Sequence, residues 1–392
     1  PKIYEEYQYH QMPIGSMEVV MNFKPETLRA YYKKWYRPDQ QGIIIVGDFN
    51  TEDMEKKVKE MFSTIPMPEN APERRYPVVS NNEKPIYFAY TDAELASPRT
   101  TISFKEEKMP FEYRNTVEAY IQHDLVRNIV SALINNRLQE NAVNPDCKYS
   151  GAGVYFGDFY VSKTKDSFNV VTIPKRGTQG AVAEVMGIVA RACKTGFTDS
   201  ELERVKSNIL SSYEKTYNER EKTDNDAYGS ELCRTFVDNE PNPGIEKEYE
   251  MLKQVLPMIP VEGINGFAAG LLTSNNMVVV TSEPQKEGFE VVAEDVMIKT
   301  INDAMNASYE VFVDEVITEP LIAKLPKKGK VVAVEEEKGI GTKTYILSNG
   351  AKVVVKATDF AADEILMSAF RNGGKRSFSK DQASNVNMLS TA

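Results

Sequence analysis

Two histidines, His10 and His123, and three cysteines, Cys147, Cys193 and Cys233, are the residues of this 392-residue chain best suited to metal or nucleophilic chemistry. A catalytic zinc takes about three protein ligands and keeps a position open for water. Neither histidine has a second histidine or a glutamate at such a spacing, so ordinary surface or half-buried roles are expected and no metal ligand is assigned. The cysteines are too few and too far apart for a disulfide framework, and none has a histidine nearby in sequence, so no thiol nucleophile is assigned. Gly151-Ala152-Gly153 opens no amphipathic helix and misses the phosphate-loop pattern; strand-edge glycines or a bulge are expected instead. Carboxylate pairs such as Glu106-Glu107 carry no acid–base spacing. The catalytic, metal and cofactor-binding assignments are therefore all none.

The elements around these residues are more informative. Phe23 to Phe49 is expected to be a helix, a stop and a buried strand. Pro25 suits the first helical turn and Glu26 the positive end of the helix dipole. Leu28, Tyr31, Tyr32 and Trp35 fall at i, i+3, i+4 and i+7, so an aromatic stripe with Tyr36 is expected to pack in a core. Lys33, Lys34 and Arg37 load the last turn, and Pro38 ends it. Ile43 to Val46 is a short apolar run expected as a covered strand, and Thr51 is expected to cap a helix with Met54, Val58, Met61 and Phe62 inside.

Beyond Pro66–Pro85, a proline-punctuated linker, strands are expected at Ile86 to Tyr90 and Thr100 to Phe104. A long helix, Tyr113 to Gln139, repeats Val117, Ile121, Leu125, Ile129 and Leu133 on one face. Strands follow at Tyr149 to Val161 and Ser167 to Ile173. A helix at Gln179 to Lys194 is capped by Gly196, and another opens on the capping box Thr198 to Glu201. Met277 to Val280 is expected as a buried strand and Glu290 to Met305 as a helix. Pro320 to Glu337, with a lysine cluster and then Glu335, Glu336 and Glu337, is expected as a solvated tether. Thr344 to Leu347, Ser348-Asn349-Gly350 and Ala351 to Val355 spell a hairpin. Gln41 to Asp48 and Asn275 to Ser282 form a faint repeat, each a polar turn before a four-residue strand.

With 41% apolar residues the chain can fill packed cores in two or more domains. A net charge of −10 argues against nucleic acid as a partner, because its phosphates would repel the chain. No run approaches the ~20 apolar residues of a membrane-spanning helix. Pro1 is neither an initiator nor the start of a signal peptide, so a longer protein or a processed one is expected.

In order, Pro13-Ile14-Gly15, Leu28-Arg29-x-Tyr31-Tyr32, Trp35-Tyr36-Arg37-Pro38-Asp39 and Ile45-Val46-Gly47-Asp48 resemble the insulinase/pitrilysin family of zinc peptidases. Tyr345 to Val353 resembles the hairpin that starts each family domain, and Arg371-Asn372-Gly373-Gly374 the turn after its next strand. The resemblance implies an α+β fold of tandem domains, each an antiparallel-rich sheet packed with helices. Residues 1–72 would be the C-terminal half of a first, catalytic-type domain, 80–325 a complete non-catalytic second domain, and 338–392 the start of a third. It also implies a zinc metalloendopeptidase acting on peptides or small unfolded proteins in a chamber closed by domain pairs. That activity rests on His-x-x-Glu-His plus a distal Glu, with zinc held by the two His and that Glu; this sequence contains no copy. The segment is thus expected to bind no zinc, to be catalytically silent, and to serve as chamber wall beside the remaining domains of its polypeptide. A non-catalytic family relative acting as a binding or assembly scaffold is the alternative.

Overall fold

The computed structural model describes all residues except 1, 5, 11–13, 315–318, 321, 359–364, 372, 375–376, 383–384 and 387–392. Pro13 and Asn372 of the motifs above therefore lie outside the described residues. Contacts divide the chain into two units, Pro1–Leu321 and Ile322–Ala392.

The first unit is built on a five-stranded sheet of order β1-β5-β2-β4-β3. Its strands are β1 (Ile86–Asp92), β2 (Arg99–Glu107), β3 (Tyr149–Asp158), β4 (Lys165–Pro174) and β5 (Met277–Pro284). β1 runs parallel to β5, and the other neighbours are antiparallel. Side chains alternate across a strand, so Ile102, Phe104, Phe168, Val170, Met277 and Val279 all enter one buried cluster. That face is covered by helices. The long helix α4 comprises Val117–Ala119, a π turn at Tyr120–Leu125 and Val126–Ala142. It is followed by α5 (Thr178–Thr195) and α6 (Asp199–Asn218). On α5, Val182, Val185, Met186 and Val189 recur at helical spacing and are fully buried, each contributing about 1.5–3 kcal/mol. The expected capping box is present: the Thr198 hydroxyl accepts from the Glu201 N–H while the Glu201 carboxylate accepts from the Thr198 N–H.

β3 is a sheet edge. Its register slips between Tyr149 and Gly151, the irregularity expected from the glycines there. Asn135 of α4 covers part of that edge, accepting from the Val154 N–H at 2.7 Å and donating to the Val154 carbonyl at 3.0 Å. The opposite sheet face carries a smaller cluster of Tyr4, Val79, Phe159 and Val278.

Helices α7 (Asn225–Asp238), α8 (Ile245–Val255) and α9 (Val261–Ala269) complete the layer with α10 (Glu294–Asn306). No element is expected from sequence over residues 225–269. α7 buries no residue, so it carries no core stripe to announce it.

Residues 14–62 depart from expectation. α1 (Met17–Asn22), α2 (Pro25–Trp35) and α3 (Thr51–Phe62) form but bury no residue. The aromatic stripe is not core: Leu28, Tyr31, Tyr32 and Tyr36 are exposed, and Trp35 is half-buried. Ile43 to Val46 is not a strand either, because a strand needs a hydrogen-bonded neighbour and none flanks it among the described residues. Of the faint repeat, only the second copy is a strand, β5. α3 is capped by Asn50, whose side chain accepts from the Asp53 N–H, and not by Thr51. Gly42 does have a neighbour: a Cβ there would lie 2.9 Å from the Phe236 ring of α7, so a larger residue would make that exposed ring shift.

The second unit is an antiparallel meander of β6 (Val331–Glu337), β7 (Thr342–Leu347) and β8 (Lys352–Val355). Gly350, at φ 84°, supplies the left-handed residue of the hairpin turn. β6 corrects the tether: Glu335, Glu336 and Glu337 pair with Thr344, Lys343 and Thr342 across the ladder and are part of a strand.

Candidate functional site

His10 and His123 go to different places. His10 lies in a short turn, 2.7 Å from the Tyr4 carbonyl through Nε2. His123 lies on the π turn of α4 and lines a cavity of about 610 Å³. His123 and Asp124 lie on the π turn, Arg127 follows four residues after His123, and all three line the cavity.

The cavity holds a charged network. His123 Nδ1 is 2.8 Å from Asp124, and Nε2 faces Asp166 of β4 at 3.6 Å. Asp166 is also 3.4 Å from Lys108 and 3.5 Å from Arg127. Arg127 reaches Glu106 of β2 at 2.8 Å and stands over the Phe156 ring. Lys108 bonds Asp158 at the end of β3. Burial pulls the imidazole pKa down, but the bonds to Asp124 and Asp166 outweigh it, so His123 titrates above its ordinary value. Burial pushes Asp166 up, yet His123, Lys108 and Arg127 hold it below the usual carboxylate range. Glu106 goes the other way: burial raises its pKa, and Arg127 offsets only part of that.

Each acidic group in the centre of this network already faces a cation. Among the described residues no group of three His, Cys, Asp or Glu side chains could hold a metal. The carboxylate facing His123 Nε2 is Asp166, which Lys108 and Arg127 neutralise. That is a poor donor set for zinc, which needs deprotonated, uncommitted ligands. The cavity wall is polar and mixed in charge: Arg114, Arg127 and Lys108 line it together with Asp124, Asp238 and Glu240.

A second cavity of about 720 Å³ shares Asp124, Glu240 and Pro241 with the first. It is lined by Tyr120, Tyr213, Glu231 and Glu248. Burial and the neighbouring Glu231 raise the pKa of Glu248.

None of these network residues was assigned from sequence. The available signals were the charged residues inside strands β2 and β4, Glu106 and Asp166, and the His123/Arg127 spacing of four on a helix.

The cysteines form no site. Cys147 and Cys193 are buried and Cys233 is exposed, all as free thiols. Burial pushes the Cys193 thiol up to about 12, far from a reactive thiolate.

Comparison with known proteins bears on this arrangement. Residues 22–209 match the family of the peptidase M16 inactive domain. A zinc protease PQQL-like protein of Arabidopsis thaliana is 26% identical over 365 residues, 93% of this chain and 35% of that protein. The probable zinc protease PqqL of Escherichia coli K12 is 24% identical over 252 residues, 64% of this chain and 26% of its own length. The chain thus spans about a quarter to a third of these relatives. In fold it resembles the crystal structure of the periplasmic protease PqqL of Escherichia coli, with a TM-score of 0.68 at 19% identity over 97% of this chain and 41% of that one. A predicted insulinase family protease of Yersinia pestis gives a TM-score of 0.59 at 17% identity over 71% of this chain and 59% of that one.

Proposed function

From residues 22–209, which carry the sequence of a peptidase M16 inactive domain within an insulinase-type fold, we propose that this chain is the non-catalytic part of a zinc metalloendopeptidase. Its substrates are peptides or small unfolded proteins, and its role is chamber wall and scaffold beside the remaining domains of the same polypeptide. Residues 1–72 are the C-terminal half of a catalytic-type domain, 80–325 a complete inactive copy, and 338–392 the beginning of a third domain.

One observation carries the reading. The long helix α4, which the family resemblance equates with the zinc-binding helix of a catalytic copy, offers a single histidine in a ring of ion pairs. Zinc and the water it activates then belong to the remaining domains, and this unit contributes the polar walls of its two joined cavities.

The test is elemental analysis after dialysis, with hydrolysis of a quenched fluorescent peptide, on this chain and on the longer polypeptide proposed to contain it. The expected result is neither zinc nor turnover here, and one zinc per chain with turnover in the longer protein. A full equivalent of zinc bound by this chain overturns the reading. Zinc in neither favours an assembly scaffold.

A further inference from the structure

We propose that a groove formed by α4, α5 and α6 is a docking surface for an extended peptide bearing an aromatic residue two positions before an aspartate, and that the chain fills it with its own residues 307–314. After α10 the chain runs without regular structure, and cations of the three helices hold it. Lys194 of α5 donates to the Ala307 carbonyl at 2.8 Å. Arg191, also of α5, donates to the carbonyls of Glu310 at 2.9 Å and Val311 at 3.2 Å. Phe312 lays its ring 4.0 Å from the guanidinium carbon of Arg137, whose other ring contact is Phe197 at 4.8 Å. Arg204 of α6 grips the Asp314 carboxylate at 2.7 and 3.1 Å, and Ser200 donates to the same group.

Two features mark this as docking and not as core. First, the segment turns Phe312 and Asp314 inward but leaves Val311 and Val313 exposed, 68% and 74%, so one ring supplies most of its apolar anchoring at that end. The rest is charge-assisted hydrogen bonding to carbonyls and one carboxylate, which any peptide of the same pattern supplies. Second, the Arg137 wall of the groove is held by contacts that do not involve the segment. Arg137 is held by Glu201 and by the Gly196 carbonyl, and its Nη1 has no hydrogen-bond partner among the described residues. A buried, pre-positioned guanidinium presenting its face is a recognition element for an aromatic side chain.

The test uses the full chain carrying Phe312→Ala and Asp314→Asn, and as probe a fluorescein-labelled synthetic peptide of residues 307–314. By fluorescence anisotropy the double variant is expected to bind the peptide at least about tenfold more tightly than the wild type, and less tightly as salt is raised. Adding Arg204→Ala is expected to remove that binding. Equal binding to wild type and double variant, or binding indifferent to Arg204, overturns the proposal. Limited chymotrypsin cleavage of the unmodified chain, read by mass spectrometry at Tyr309 and Phe312, is the second measurement, decisive should the variant fail to fold. Cleavage at these two residues is expected to speed up with rising salt while α5 and α6 stay uncut. Cleavage there only on global unfolding would make the segment core, and would overturn the proposal equally.

Discussion

Arg137 on α4 and Glu201 on α6 face each other through two parallel bonds, Nε to Oε1 at 2.8 Å and Nη2 to Oε2 at 2.9 Å, with both side chains almost wholly buried. Glu201 also closes the capping box of α6, so one carboxylate joins two helices and starts one of them. Removing one partner leaves the other charge buried and unpaired. Glu201→Ala is expected to cost about 3–5 kcal/mol, measured by urea unfolding. The double variant Arg137→Met, Glu201→Leu should lose less than the two single variants combined. A cost below about 1 kcal/mol for Glu201→Ala would mean that the pair is solvated.

His123 links stability to pH. Its folded pKa lies above the ordinary value because Asp124 and Asp166 favour the imidazolium. A group with a raised folded pKa contributes stability that is fully present below its unfolded pKa, about 6.5, and lost as pH rises through the folded value. Wild type is therefore expected to exceed His123→Asn in stability most at pH 5 and progressively less above neutrality. Thermal melts across that range test this, and an NMR titration of the ring protons should show a midpoint above the ordinary value. A midpoint below it would leave burial as the dominant effect.

Glu283, at the end of β5, is fully buried, with one oxygen accepting from Thr178 and the other without a hydrogen-bond partner among the described residues. Burial raises its pKa, and the Thr178 bond offsets only part of that. A carboxyl with a raised folded pKa contributes its full stability below the unfolded pKa and loses it as pH climbs. Glu283→Gln is expected to be more stable than wild type at pH 7, with the gain shrinking toward pH 4. A variant less stable than wild type at pH 7 would mean that the charged carboxylate has a partner there.

The aromatic stripe of α2 and the aromatic core of the sheet should answer differently to truncation. Phe168 is fully buried, packed 4.9 Å from Phe156 and 6.3 Å from Phe104, so Phe168→Ala should cost about 3–5 kcal/mol. Tyr31 is 58% exposed, so Tyr31→Ser should change stability by no more than about 0.5 kcal/mol. It should also reduce binding of the dye ANS, which reports exposed apolar surface. A large loss at Tyr31 would show that the stripe is covered in solution.

What was legible in the sequence is whatever neighbouring residues decide among themselves. The valine stripe of α5, the capping box of Thr198 and Glu201, the hairpin at Ser348-Asn349-Gly350 and the order of motifs at 13–48 all depend on spacing along the chain. They sufficed for an α+β fold and for the family resemblance. Tertiary structure alone decided the rest. Ile43 to Val46 has the composition of a strand, yet a strand exists only beside another, and none flanks it among the described residues. The His123 network draws on β2, β3, β4 and α4, and the arginine groove on α4, α5 and α6. Coulomb and hydrogen-bond energies depend on distance through space. Lys108 and Asp158, fifty positions apart, therefore carry no mark of their partnership until the sheet forms.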